Sequence, residues 1–265
     1  MKGHAPPQGF TLVEMLVVIG ITSALGALLL SAVSRSRHMA RDVVCVNNLR
    51  QLGIAARLYS GAYDGCLPPL GYWKDYPARY WWGTSSNPPN YKKGFLAPYL
   101  GAAGKEGDVY QCPAQPVGTY LQEGEGSTPT TTYGYNGYYL CPEATPGWAN
   151  GIKQRPWQSF QSVSNPSQVF MFGDALLDWG RGRVTNTCFL DPPFVYSRGR
   201  WGQNQHPTTC FRHSGKAYLC FVDGHVEGIS SDEGKLTSTR SNIGYVGKDN
   251  ANYVPDYEEW CNPSP

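Results

Sequence analysis

The sequence predicts an α+β protein in which one very long N-terminal helix precedes a head of short antiparallel strands joined by long loops. Three observations predict it. From Phe10 to Val33 the chain reads FTLVEMLVVIGITSALGALLLSAV, apolar or small throughout except for Glu14. Beyond it Met39, Val43, Val46, Leu49, Leu52, Ala56 and Tyr59 recur at three- and four-residue steps. Arg41, Asn47, Asn48, Arg50, Gln51 and Arg57 take the other faces, the pattern of an amphipathic helix. After residue 61 that period ends, Gly and Pro become dense, and turn signals such as PP, NPPN and DG recur.

The first stretch offers roughly 36 Å of helix against a hydrocarbon core of about 30 Å, enough to cross a bilayer. Nothing between Phe10 and Ser60 forces a break, although Gly20, Gly26 and Gly53 could bend the helix, and Gly61 is a natural stop. A helix of that extent would be roughly 76 Å long. The net charge is only +2, and no Lys/Arg block interleaves with aromatics. The electrostatic footprint of a nucleic-acid partner is therefore absent.

Glu14 decides between three readings of the apolar run. A secretory signal peptide would use Lys2 as its basic leader and cut after Ser34, but the run exceeds the usual length of about 7–15 residues and gives the acid no use. A plain membrane anchor would carry the acid as a cost without a return. If the chain is instead cut between Gly9 and Phe10, Phe10 gains a free amine four residues before Glu14, and a positive charge comes within reach of the negative one.

The stretch GFTLVEMLVVIGI resembles the N-terminus of type IV prepilins and type II secretion pseudopilins. The resemblance implies a leader over residues 1–9, removed by a prepilin peptidase that cleaves after Gly9 and N-methylates Phe10. It implies residues 10–33 as a transmembrane and filament-core segment, 34–60 as its amphipathic continuation and 61–265 as a β-rich head. Glu14 would neutralise the N-terminal amine of a neighbouring subunit during assembly. Implied partners are the chain itself and other pilin-like subunits, the membrane, an assembly ATPase and a platform protein; the chain has no Walker-type phosphate loop of its own.

Arg35, Arg37 and Arg41 follow the apolar run while only Lys2 precedes it, which by itself favours a cytoplasmic head. Long domains cross the membrane largely regardless of flanking charge. The eight cysteines, at positions 45, 66, 112, 141, 188, 210, 220 and 261, contain no C-x-x-C pair. They suit disulfides in an oxidising compartment better than a zinc site, with the pairing open. The expected location is the bacterial inner membrane with a periplasmic head.

In the head, candidate strands are DVYQC (108–112), TTYGYN (131–136), SQVFMFGD (167–174), AYLCFVDG (217–224) and HVEGI (225–229). Asp223-Gly224 reads as a two-residue hairpin turn with positive φ at both positions. The loops 72–95 and 175–210 are long enough to call for staples. His213, Asp223, His225 and Glu227, with Asp174, could be drawn as a metal or acid-base cluster, but alternation along the strands favours a turn fixed by Asp223 and a strand start capped by His213. The expected subunit is not an enzyme.

His213 followed nine residues later by Asp223-Gly224 is similar to the H-x9-DG element of prepilin-type processing-associated proteins. CVNNLRQLGIAARLY, GFLAPYLG, VYQCPA and NPSQVFMFGDA match that pattern as well. The resemblance assigns the element no role. By likeness to major pseudopilins, calcium has candidate ligands in Asp232, Glu233, Asp249, Asn250 and Asp256, but without an EF-hand spacing a solvated acidic loop is the expected reading, and no cofactor is expected. An alternative function is a membrane-tethered exported module that binds glycan or a surface polymer through aromatics such as Tyr80-Trp81-Trp82.

Overall fold

The structure is a computed structural model and describes residues 11–86, 88–101, 108–115, 131–141, 157–181, 183–197 and 200–257. Gly9, Phe10 and Cys261 lie outside the described residues. Helix α1 runs unbroken over Leu12–Ala62, 51 residues. It passes through Gly20, Gly26 and Gly53 and ends just beyond Gly61. Residues 1–40 and 41–265 form separate units. In the first, the side chains of Leu12, Leu16, Ile19, Leu28, Leu29 and Leu30 are all exposed.

In the second unit α1 turns Cys45, Asn48, Leu49, Leu52, Gly53, Ala55, Ala56, Tyr59 and Ser60 inward. The three- and four-residue steps are those expected. The stripe begins elsewhere, however, because Met39 and Val43 are exposed and Cys45 and Asn48 take the inner positions. Asn48 is accommodated by hydrogen bonding: its Nδ2 donates to the Gln111 carbonyl at 3.1 Å and to the Tyr133 hydroxyl at 3.4 Å. Gly53 allows α1 to approach closely, since a Cβ there would lie 3.0 Å from the Cys220 Sγ and 3.6 Å from the Met171 Cε.

Beyond α1 the chain forms β1 (Gly71–Tyr72), β2 (Arg79–Tyr80), β3 (Tyr133–Tyr135), the single turn α2 (Gly137–Leu140), β4 (Phe170–Asp174), β5 (Leu177–Asp178) and β6 (Val184–Thr185). Then come β7 (Phe194–Ser197), β8 (Arg200–Gln203), β9 (Thr209–Cys210), β10 (Lys216–Phe221), β11 (Val226–Ser230), β12 (Gly234–Ser238) and β13 (Ile243–Val246). The main sheet has the order β11-β10-β4-β3 and a second sheet the order β12-β13-β9. All of these pairings are antiparallel, the α+β, pilin-like layout read from the sequence.

Four of the five candidate strands form. The fifth, 108–112, is a turn: the Asp108 carboxylate takes the Val109 N–H, and the Gln111 N–H bonds the Asp108 carbonyl at 2.7 Å. The β10–β11 connection also departs from expectation, because only Gly224 has positive φ, at 97°. The Gly224 N–H bonds the Phe221 carbonyl and the Phe221 N–H bonds the His225 carbonyl, giving a three-residue loop with glycine at its left-handed position. Asp223 sits before that glycine and fixes the loop with its side chain.

Among the described residues the long loops are held without disulfides. All seven described cysteines are free thiols, six of them buried, so the expected staples are not formed among the described residues. Aromatic packing and hairpins hold these segments instead. Trp81 is fully buried, lies 5.3 Å from the Phe172 ring and 5.8 Å from the Tyr110 ring, and donates its indole N–H to the Cys188 carbonyl at 3.1 Å. Within the described part of 175–210, β5 pairs antiparallel with β6 and β7 with β8.

Candidate functional site

Two places gather chemistry that the fold does not need for packing. The first is the start of α1. Thr11 precedes the helix and Glu14 is its third residue. The Thr11 amide and hydroxyl both donate to Glu14 Oε2 at 2.8 Å, and the Glu14 N–H returns a 3.3 Å bond to the Thr11 Oγ1. This is a capping box, in which T-x-x-E satisfies otherwise orphaned helix N–H groups. Around it, the apolar stretch has a mean hydropathy of 2.4 and contains no buried residue. α1 is the one helix among the described residues long and apolar enough to cross a membrane.

The second lies wholly within residues 41–265 and joins Cys45 of α1, Cys112 of the 108–115 turn, Asp174 at the end of β4 and His213 before β10. All four are buried, and their ligating atoms lie within 4.8 Å of one another. His213 is placed by a tight turn: Ser214 and Gly215 have φ of 52° and 85°, and His213 and Lys216 exchange two 3.0 Å backbone bonds. That is the two-residue turn whose central positions both need positive φ, here written Ser-Gly.

The four side chains are tightly interlocked. The His213 Nε2 lies 3.2 Å from the Cys112 Sγ and 3.3 Å from an Asp174 oxygen, while its Nδ1 lies 2.6 Å from the Asp42 carboxylate. The Cys45 Sγ is 3.6 Å from Asp174 Oδ1. Asp174 also accepts the Tyr218 N–H at 2.8 Å and lies 3.6 Å from the Arg212 Nε. Arg212 is itself anchored by Nη2 donating to the Thr132 and Ala175 carbonyls at 3.1 and 2.5 Å.

Charge neighbours overcome burial here. Burial alone would favour a neutral Asp174, but Arg212, His213 and the Tyr218 N–H hold its carboxyl below the ordinary value. Burial would also favour neutral His213, yet Asp174 and Cys112 push its pKa up to about 11. Burial raises the Cys45 thiol well above its usual range. It acts in the same sense on Cys112, but hydrogen bonds from Cys45 and His213 bring that thiol down to about 6. Without an ion the cluster therefore pairs the Cys112 thiolate and the Asp174 carboxylate with a protonated His213 beside a neutral Cys45 thiol, and a metal would bind by displacing protons from Cys45 and His213.

The site drawn from the sequence is only partly assembled. His213 and Asp174 meet, but Asp223 lies beyond the other end of β10 and bonds His225 instead, taking its N–H at 3.0 Å and lying 2.6 Å from its Nδ1. His225 stacks on Phe221 with ring centres 4.0 Å apart, and Glu227 is exposed on β11. Asp42, Cys45, Cys112 and Arg212 were not singled out as partners of His213.

The calcium candidates make hydrogen bonds within the head, and Asp249 and Asp256 line one cavity. Asp232 accepts from the Ser230 hydroxyl, and Asp249 accepts the Ala251 N–H at 2.9 Å. Asn250 is buried and exchanges two bonds with Phe194. Asp256 accepts from Ser164 at 2.5 Å, and the Glu233 N–H bonds the Ser230 carbonyl. The run Tyr80-Trp81-Trp82 is buried, so it does not form the stacking face drawn for glycan binding.

A family model described as the prokaryotic N-terminal methylation motif matches residues 7–30. No curated protein and no solved structure matches the chain. The motif supports a precursor of type IV pilin or pseudopilin kind, with a prepilin peptidase and pilin-like subunits as its general partners. Together with the single apolar N-terminal helix, it fits a protein anchored in the inner membrane.

Proposed function

We propose that this chain is a structural prepilin-like subunit that is cut after Gly9, methylated on the new Phe10 amine and assembled into a filament through its N-terminal helix. The observation that carries the reading is the coincidence of the methylation motif with an apolar helix whose side chains find no cover inside the protein. Lipid covers such a surface before assembly and neighbouring helices cover it afterwards, by packing rather than by a hydrophobic gradient.

Glu14 is the specific element. In an apolar bundle an unpaired carboxylate is disfavoured, and the amine of a neighbouring subunit cancels it at low dielectric. The filament is a type IV pilus or a type II secretion pseudopilus, powered by a cytoplasmic ATPase acting through a platform protein, with the head on the periplasmic side. In this reading the head, through His213 and Asp223-Gly224, resembles the prepilin-type processing-associated proteins, and the subunit acts as a building block rather than a catalyst. Replacing Glu14 with Ala tests this reading. Membrane insertion and leader cleavage persist while polymer is lost; normal filaments from the variant would refute the role of the acid.

A further inference from the structure

We propose that Cys45, Cys112, Asp174 and His213 form a closed, four-ligand structural site for a zinc ion that ties helix α1 to the head. The inference goes beyond the filament reading and stands on separate residues. A tetrahedral zinc with bonds of about 2.3 Å to sulfur and about 2.0–2.2 Å to nitrogen or oxygen sets donor separations of about 3.5 Å for sulfur to nitrogen or oxygen, and about 3.3 Å for nitrogen to oxygen. In the structure the Asp174 Oδ2 lies 3.8 Å from the Cys45 Sγ and 3.3 Å from the His213 Nε2, and that nitrogen lies 3.2 Å from the Cys112 Sγ. All four ligating atoms lie within 4.8 Å of one another, so small side-chain shifts bring them to the corners of the polyhedron.

The donor set selects the metal. Two thiolates and an imidazole suit zinc, whereas calcium and magnesium take oxygen ligands. The surrounding groups are those a zinc site uses to orient its ligands. Asp42 lies 2.6 Å from the His213 Nδ1, leaving Nε2 for the metal. The Tyr218 N–H fixes Asp174, and the backbone of Cys112 is held by a 2.6 Å bond from its N–H to the Thr132 Oγ1. Arg212 supplies positive charge beside the acid, and all four ligands are buried.

The consequence is mechanical. The ligands come from four segments far apart in sequence, so an ion held by them cross-links α1, the 108–115 turn, β4 and the approach to β10. Binding energy at such a site becomes folding energy.

The test uses the full chain in detergent, reduced with a phosphine and titrated with Zn2+ alone. Elemental analysis should find one zinc per chain. Co2+ in its place should give the thiolate charge-transfer and intense d–d absorption of a tetrahedral site. Cys112→Ser and His213→Gln should lose the metal, Cys66→Ser should keep it, and Asp42→Asn should weaken affinity about 10–100-fold. A reduced wild-type chain, folded by circular dichroism, that takes up no stoichiometric zinc would overturn the proposal. Undiminished binding by both ligand variants would overturn it too, as would protein isolated from cells with Cys45 and Cys112 joined in a disulfide.

Discussion

Thr11 and Glu14 close the start of α1 on each other, with the amide and hydroxyl of the threonine both donating to one carboxylate oxygen at 2.8 Å. The acid thus has two physical uses, a local one in capping and the proposed one in charge pairing between subunits. Gln can occupy the third position of a capping box as Glu does, but it carries no charge.

The two uses are separable by substitution. Glu14→Gln should retain the helix start and membrane insertion yet lose filaments, whereas Thr11→Ala should assemble nearly as wild type. Electron microscopy of sheared material, with membrane fractionation as control, distinguishes them. Equal loss in both variants would assign Glu14 to capping alone.

Gly53 sets how closely α1 meets the main sheet. A side chain there meets Cys220 and Met171, and overpacking of this kind costs about 1–3 kcal/mol. Gly53→Leu should lower the thermal midpoint of the head, while Ile54→Ala, at an exposed neighbouring position, should scarcely move it.

Trp81 is a core residue. Trp81→Ala should cost about 3–5 kcal/mol in denaturant unfolding. If the residue instead served recognition at a surface, stability would be kept.

Asp191 should make stability fall with pH. Its Oδ1 is buried without a partner among the described residues, and burial pushes its pKa from 3.8 up to about 7. Because the folded chain holds that proton more tightly than the unfolded chain, the contribution is fully present below about pH 4 and is lost as pH rises through about 7. Asp191→Asn should flatten that part of the stability profile, measured by unfolding across the range; an unchanged slope would contradict it.

The sequence carried the extended elements better than the site. The apolar run and the helical period after it gave α1 to within two residues at each end, because burial of one face over many turns leaves a long signal. Alternation and Asp223-Gly224 located the β10–β11 hairpin, although the loop is one residue longer than its dipeptide suggested. The capping box was present as T-x-x-E beside the very acid under discussion. Ser214-Gly215 likewise carried an unread turn signal.

The cysteine-histidine-aspartate cluster was not legible. Its members come from four separate segments, whereas Asp223, close to His213 in sequence, lies past the far end of β10. The β12–β13 hairpin lacks an alternation that sequence can show: GKLTS buries no residue, and the four-residue IGYV is buried at Ile243, Gly244 and Val246, on both faces. Composition calls for disulfides in the long loops because it counts cysteines and does not reveal how many aromatic side chains pack around Trp81.

The most direct measurement of the central claim is mass spectrometry of the mature N-terminus of the protein isolated from its own cells. The account predicts a chain beginning at an N-methylated Phe10, which puts a positive amine four residues before Glu14. A chain that still begins at Met1, or one cut after Ser34, would contradict it.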